Sequence, residues 1–295
     1  MTFLALLLYS PPRSQASDFD AARAWNHLLA QCAFGPRAPG SPGHQKCLIY
    51  LESEIKKRAS SVERQWFWGS NPVANQSVQL CNLIARFQPE KSRRILLCAH
   101  WDTRPWADQD SEAANHDKPI LGANDGASGV AVLLEIARCL SLKPPRIGVD
   151  IVFFDGEDMG REGHLNEYLL GSREYASNLT LPLPEAAILL DMVGDKYLSI
   201  PQELYSRRDA PQLVEEIFNA AQRLNQSAFD PQPGQAVYDD HLPLLQAGIP
   251  AVDLVDFDYI YWHTLHDTPE NCSPQSLQAV GEVVLHWLYQ KGTGK

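Results

Sequence analysis

Residues Val149–Phe154 form a dense apolar run that stops abruptly at Asp155-Gly156-Glu157-Asp158. A strand so apolar on both faces has to be covered on both sides, as a central strand of a parallel sheet is. Comparable strand-like runs occur at Val78–Phe87, Ile95–His100, Ala186–Leu190 and Pro250–Val255. Between them lie helical patterns. Ala127–Leu140 puts Val130, Leu133, Leu134 and Ala137 on one face, and His44–Arg58, Gln212–Leu224 and Pro274–Tyr289 also read as helices. Asp18 or Asp20 is placed to cap an opening helix that runs through Cys32. The alternation predicts an α/β fold with a largely parallel sheet, whose site lies beyond the carboxyl ends of its strands. With no repeat and no low-complexity linker, one domain is expected over 18–291.

Those carboxyl ends share a chemistry. They read His100-Trp101-Asp102, Asp155-Gly156-Glu157-Asp158 and Asp191, followed later by Asp239-Asp240-His241 and Trp262-His263. Gly122-Ala123-Asn124-Asp125-Gly126 sits just before a helix. So many carboxylates on one edge repel one another unless a cation neutralises them. A donor set of imidazole and carboxylate without thiolate suits zinc; magnesium and calcium favour oxygen alone. Other chemistries lack their signatures: the chain has no Gly-x-Ser-x-Gly elbow, no phosphate-binding P-loop and no His-Glu-x-x-His. The six cysteines are scattered and form no Cys-x-x-Cys pair.

Charge and hydropathy narrow the partners. Thirty-six acidic against 25 basic residues give a formal charge of −11, which argues against nucleic acid. No apolar run approaches the roughly 20 residues of a membrane-spanning helix. The short run Phe3–Tyr9, followed by Ser14-Gln15-Ala16, marks 1–17 as a signal or disordered segment. An extracytoplasmic location is therefore expected.

Taken in order, His-x-Asp, Asn-Asp-Gly, Phe-Phe-Asp-Gly-Glu-Asp, Leu-Leu-Asp-Met-Val-Gly, Asp-Asp-His and Trp-His-Thr-x-x-Asp resemble the zinc aminopeptidase clan. Within it the chain is most similar to the glutaminyl cyclases, above all to bacterial members related to the animal enzymes. The resemblance runs from the Phe34-Gly35-Pro36-Arg37 loop to the closing helix. It implies a single-domain three-layer α/β/α sandwich with a mixed, largely parallel sheet. It implies one zinc per chain, held by Asp125, Asp158 and His263. Glu157 resembles the general acid/base, and Asp191 and Asp239 the carboxylates that orient the substrate amine. Trp262 resembles a wall of the substrate pocket, Tyr259 is a pocket candidate near it, and Trp106 lines the mouth or packs a loop. The implied substrate is a peptide or protein with N-terminal glutamine, and a monomer is expected. Two departures stand out. The animal enzymes have Glu-Glu where this chain has Glu157-Asp158, and their cysteine pair has no counterpart here.

An aminopeptidase on the same fold remains an alternative, with a second zinc at His100 and Asp191 and Asp125 between the ions. Twelve residues, Met159–Leu170, separate Asp158 from Gly171-Ser172, a longer stretch than aminopeptidases usually have, and this favours the cyclase. A catalytically dead binding module would have lost a ligand or the glutamate, and neither is lost. Among the other candidates, His241 is expected to orient Asp239 or cap a helix, and His266 to be structural. Phe257 is a further pocket candidate. Trp101 lines the mouth or packs a loop, His116 and His164 sit on surface loops, and Arg104 pairs with a nearby acid.

Overall fold

The computed structural model describes residues 18–72 and 76–291; the expected leader at 1–17 lies outside them. Helices α1 (Ala21–Cys32) and α2 (Pro42–Lys56) come first, followed by strands β1 (Ser61–Asn71), β2 (Gln76–Phe87) and β3 (Arg94–His100). Then α3 (Ala127–Leu142), β4 (Gly148–Phe154), α4 (Leu170–Ser177) and β5 (Ala186–Asp191) alternate. The chain continues through β6 (Ile200–Gln202), α5 (Leu204–Asp209), α6 (Pro211–Arg223) and β7 (Phe229–Pro233). It ends with α7 (His241–Gln246), β8 (Ala251–Val255) and α8 (Pro274–Lys291).

Six strands form one mixed sheet in the order β1-β2-β4-β3-β5-β8. β4, β3, β5 and β8 run parallel, while β1 and β2 add antiparallel at one edge. Alternating side chains supply two cores, as the period of two along a strand requires. Ile95, Leu97 and Ala99 of β3 join the large core under α1, α3 and α8; Leu96 and Cys98 join a smaller one with Tyr175 of α4 and Leu244 of α7. The three-layer α/β/α sandwich is therefore the architecture. α3 is buried around most of its circumference, which explains its Val-Ala-Val-Leu-Leu composition. Each large side chain withdrawn here, such as Phe153, contributes roughly 1.5–3 kcal/mol.

The helix starts follow local chemistry. The Asp20 carboxylate accepts the backbone N–H groups of Ala22 and Arg23, so of the two candidate caps Asp20 is the one used. α2 begins two residues before the His44 start read from sequence. Pro42 suits a first turn, and Ser41 Oγ accepts the His44 N–H.

β1 was absent from the sequence reading. It is an edge strand whose residues are exposed or only partly buried, so it carries no continuous apolar run. All six cysteines are unpaired.

Candidate metal and catalytic site

The parallel strands deliver their ends to one edge, and the connections between them hold the functional loops there. From β3 the chain crosses by α3 to β4 on one side, and from β4 it returns by α4 to β5 on the other side of β3. This reversal opens a crevice at the strand ends. Arg37, fully buried, pins two of its loops. Its Nε donates to Trp101 O (3.1 Å), Nη1 to Leu121 O (2.9 Å) and Nη2 to Gly122 O (2.6 Å). Gly126 follows Asp125 at φ +92°, where a Cβ would stand 2.5 Å from Asp102 O, so only glycine fits the turn. The Asp267 carboxylate accepts the N–H groups of Asn124 (2.8 Å) and Asp125 (3.1 Å). Asp102 does the same for the next loop, accepting from Glu157 (3.1 Å) and Asp158 (3.3 Å).

These braces bring Asp125, Asp158 and His263 together. His263 Nε2 lies 3.6 Å from Asp125 Oδ2 and 3.3 Å from Asp158 Oδ1. Ligand atoms at about 2.0–2.1 Å from a tetrahedral zinc stand roughly 3.3 Å apart, so the spacing fits. Asp158 Oδ2 is buried and has no hydrogen-bond partner, as an oxygen reserved for an ion would be. Among the described residues one other grouping meets the same test: His100 Nε2 is 3.0 Å from Asp191 Oδ1 and 3.2 Å from Asp125 Oδ1.

Arg104 is more than a loop ion pair. It is fully buried and donates to Asp158 Oδ1 (2.8 Å) and to Asp108 Oδ1 (2.7 Å). Burial would raise the Asp158 carboxyl, but the facing His263 and Arg104 overcome it and hold it down at about 2. Asp158 is thus held in the charged form that a metal ligand requires.

Glu157 differs from its neighbour. Burial, and next the Asp158 charge, push its carboxyl well above the usual range. Asp239 is raised in the same way by burial and then by Asp191, and its Oδ2 is unpartnered. The His100 imidazole is raised well above its ordinary value; burial opposes this, but Asp191, Asp102 and Asp125 prevail.

Glu157, Asp191, Asp239 and the Asp125-Asp158-His263 group line one cavity of about 430 Å³. Trp262 forms part of its wall, stacked on the His263 imidazole with ring centres 3.8 Å apart, and Phe257 packs beside it at 5.1 Å. A larger cavity, about 680 Å³ between α6 and β7, holds none of these groups.

Several expected residues lie elsewhere. Tyr259 is not on the cavity wall. A buried phenol needs a partner, and its hydroxyl donates to Asp267 Oδ1 at 2.9 Å. Trp106 also misses the wall and lies over the Arg104 guanidinium, 5.2 Å from its ring centre. Trp101 is wholly buried, stacked on His44 and donating to Cys81 O, so it packs a loop. His241 neither orients Asp239 nor caps a helix. It is the first residue of α7, and its side chain turns to Glu203 (3.3 Å) and Asp253 of β8 (3.7 Å). His266 does not line the cavity; its backbone O accepts from Asn271 Nδ2 at 2.8 Å. His116 bonds Asp110 O on a loop, and exposed His164 lies near Glu167. The sequence reading missed Arg37 and undervalued Arg104. A lone arginine shows no pattern along the chain, although Arg37 within a Pro/Gly-rich loop was the available signal.

Known proteins fit this geometry. The profile of peptidase family M28 matches residues 82–288. Glutaminyl-peptide cyclotransferase of Bos taurus is 25% identical over 97% of this chain and 87% of its own length. The crystal structure of Tannerella forsythia glutaminyl cyclase is 41% identical with a TM-score of 0.88, covering 92% of this chain and 98% of that one. A leucine aminopeptidase precursor from Bacteroides thetaiotaomicron is 36% identical with a TM-score of 0.89, covering 92% and 97%. The chain belongs to peptidase family M28, on its glutaminyl cyclase side.

Proposed function

We propose that this protein is a zinc-dependent glutaminyl-peptide cyclotransferase that closes N-terminal glutamine into pyroglutamate and releases ammonia. The observation that carries the reading is a pair of neighbours on one turn. Glu157, with its raised carboxyl pKa, shares the 430 Å³ cavity with the ligand group containing Asp158. The relatives named as glutaminyl cyclases support it.

Asp125, Asp158 and His263 would hold one zinc, which supplies Lewis acidity toward the substrate γ-carbonyl. The α-amine nitrogen bonds to the side-chain amide carbon, and that carbon's bond to the amide nitrogen breaks. Glu157 takes the proton from the amine and returns it to the departing nitrogen, a dual role that a raised pKa suits. Asp191 and Asp239 orient the amine. Trp262 and Phe257 hold the glutamine folded on itself, so that part of the entropy cost of ring closure falls on binding. The apolar run Phe3–Tyr9 supports a place outside the cytoplasm.

A second reading is the two-metal aminopeptidase, favoured by the His100-Asp125-Asp191 grouping. One assay separates them. The protein is incubated with glutaminyl and leucyl peptide amides. Ammonia with pyroglutamate supports the cyclase, free leucine the aminopeptidase, and neither product overturns both.

A further inference from the structure

Exposure orders the cavity by depth. Asp125 and Asp158 are 3% and 2% exposed at its floor, whereas Leu165 and Tyr238 of the same lining are 53% and 37% exposed. A substrate whose N-terminus reaches the floor must leave past such exposed residues. Leu165 and Tyr238 are among the eleven exposed large apolar side chains of the described residues, and the two meet at this opening.

The opening is built, not loose. Arg173 Nη2 donates to Leu165 O (2.9 Å) and to the Tyr238 hydroxyl (2.6 Å), and Nη1 donates to Asn166 O (3.2 Å). One guanidinium therefore ties the 159–169 wall to the 235–239 segment opposite. Within the wall, Arg161 pairs with Glu167, and Tyr168 packs against Arg104 and over Gly160, where a Cβ would run into its ring. Glu162, exposed on the same lining, engages no partner among the described residues.

We infer that Glu162, Leu165 and Tyr238 form a subsite for the second residue of the peptide, which takes a long basic or apolar side chain and disfavours an acidic one. The inference rests on the cyclase reading. An aliphatic stem lies on Leu165 and Tyr238, and a cationic head reaches Glu162, as amphipathic side chains do at apolar surfaces. An aspartate there meets the like charge of Glu162, while the Arg173 guanidinium at the same rim is already engaged by Leu165 O, Asn166 O and the Tyr238 hydroxyl. Arg173 is the positioning residue that keeps the two rims in register.

The test uses the zinc-loaded enzyme with Gln-Lys, Gln-Leu, Gln-Ala and Gln-Asp amides, reading kcat/KM from ammonia release at low salt. The expected preference for lysine over aspartate is about tenfold. It shrinks several-fold in Glu162→Gln and, in the wild type, with added salt. Leu165→Ser is expected to erase the preference for leucine over alanine. Equal kcat/KM for all four peptides, or an unchanged lysine-to-aspartate ratio in Glu162→Gln, overturns the subsite alone. Absence of ammonia from every peptide overturns the cyclase reading and the subsite with it.

Discussion

Arg104 Nη1 donates to Asp158 Oδ1 at 2.8 Å, and His263 Nε2 faces that same oxygen at 3.3 Å. One carboxylate oxygen is thus shared between a permanent cation and a ligand imidazole, while Oδ2 of the same group is unpartnered. Arg104 fixes the rotamer and charge of Asp158 without being a ligand itself. Arg104→Met is expected to weaken zinc binding by about 10- to 100-fold, as loss of a residue supporting a ligand does. Competition with a chromophoric chelator measures this. Unchanged affinity would show that the arginine only packs.

His263→Ala is expected to purify without zinc. His100→Ala is expected to keep one equivalent, because His100 stands outside the Asp125-Asp158-His263 group. Elemental analysis reads both. Two equivalents in the wild type, with one lost in His100→Ala, would support the aminopeptidase arrangement instead.

Glu157→Gln preserves the shape of the turn but cannot move a proton. Turnover is expected to fall by about 10²- to 10⁴-fold with zinc content intact. Near wild-type turnover would remove Glu157 from its role.

Tyr259→Phe separates support from substrate contact. The hydroxyl braces Asp267, which in turn holds the Asn124 and Asp125 N–H groups. Stability is expected to drop by about 1 kcal/mol. KM should stay near the wild-type value, since Tyr259 does not line the cavity. A large rise in KM at constant stability would return Tyr259 to the pocket.

A pH-dependent stability follows from His44, which bonds Asp155 Oδ1 at 2.8 Å beneath the site. Burial opposes the imidazolium, but the Asp155 carboxylate overcomes it and raises the pKa above its ordinary 6.5. A raised folded-state pKa contributes fully below the unfolded value and is lost as pH rises through the folded one. The Tm gap between wild type and His44→Gln, corresponding to about 2 kcal/mol near pH 6, is therefore expected to narrow only as pH rises above 6.5 and through the raised folded-state pKa. A gap that stays constant with pH would mean that His44 is neutral throughout.

The parallel strands and their acidic ends were legible because a doubly covered strand must be apolar, and its end must face the crevice. Val149–Phe154 announces both facts. β1 was not legible, because an edge strand exposing Trp66 and Trp68 has no buried face to pattern. Short elements such as α5, α7 and β6 owe their shape to tertiary packing and carry too few residues to show a period. Asp125, Asp158 and His263 come together as the family resemblance implied, whereas Trp106 and Tyr259 do not reach the cavity. Proximity along the chain to Arg104 and Trp262 says nothing about which way an aromatic ring turns.

Glu157 and Asp158 are peptide neighbours whose N–H groups are both held by the Asp102 carboxylate. The proposed ligand and the proposed proton carrier are therefore anchored by one carboxylate. Substituting an ion with longer bonds would displace the base along with the ligand. On the proposed assignment, metal choice and proton-transfer distance form a single mechanical variable, and a change of metal is expected to alter the rate even where the new ion is an equally strong acid.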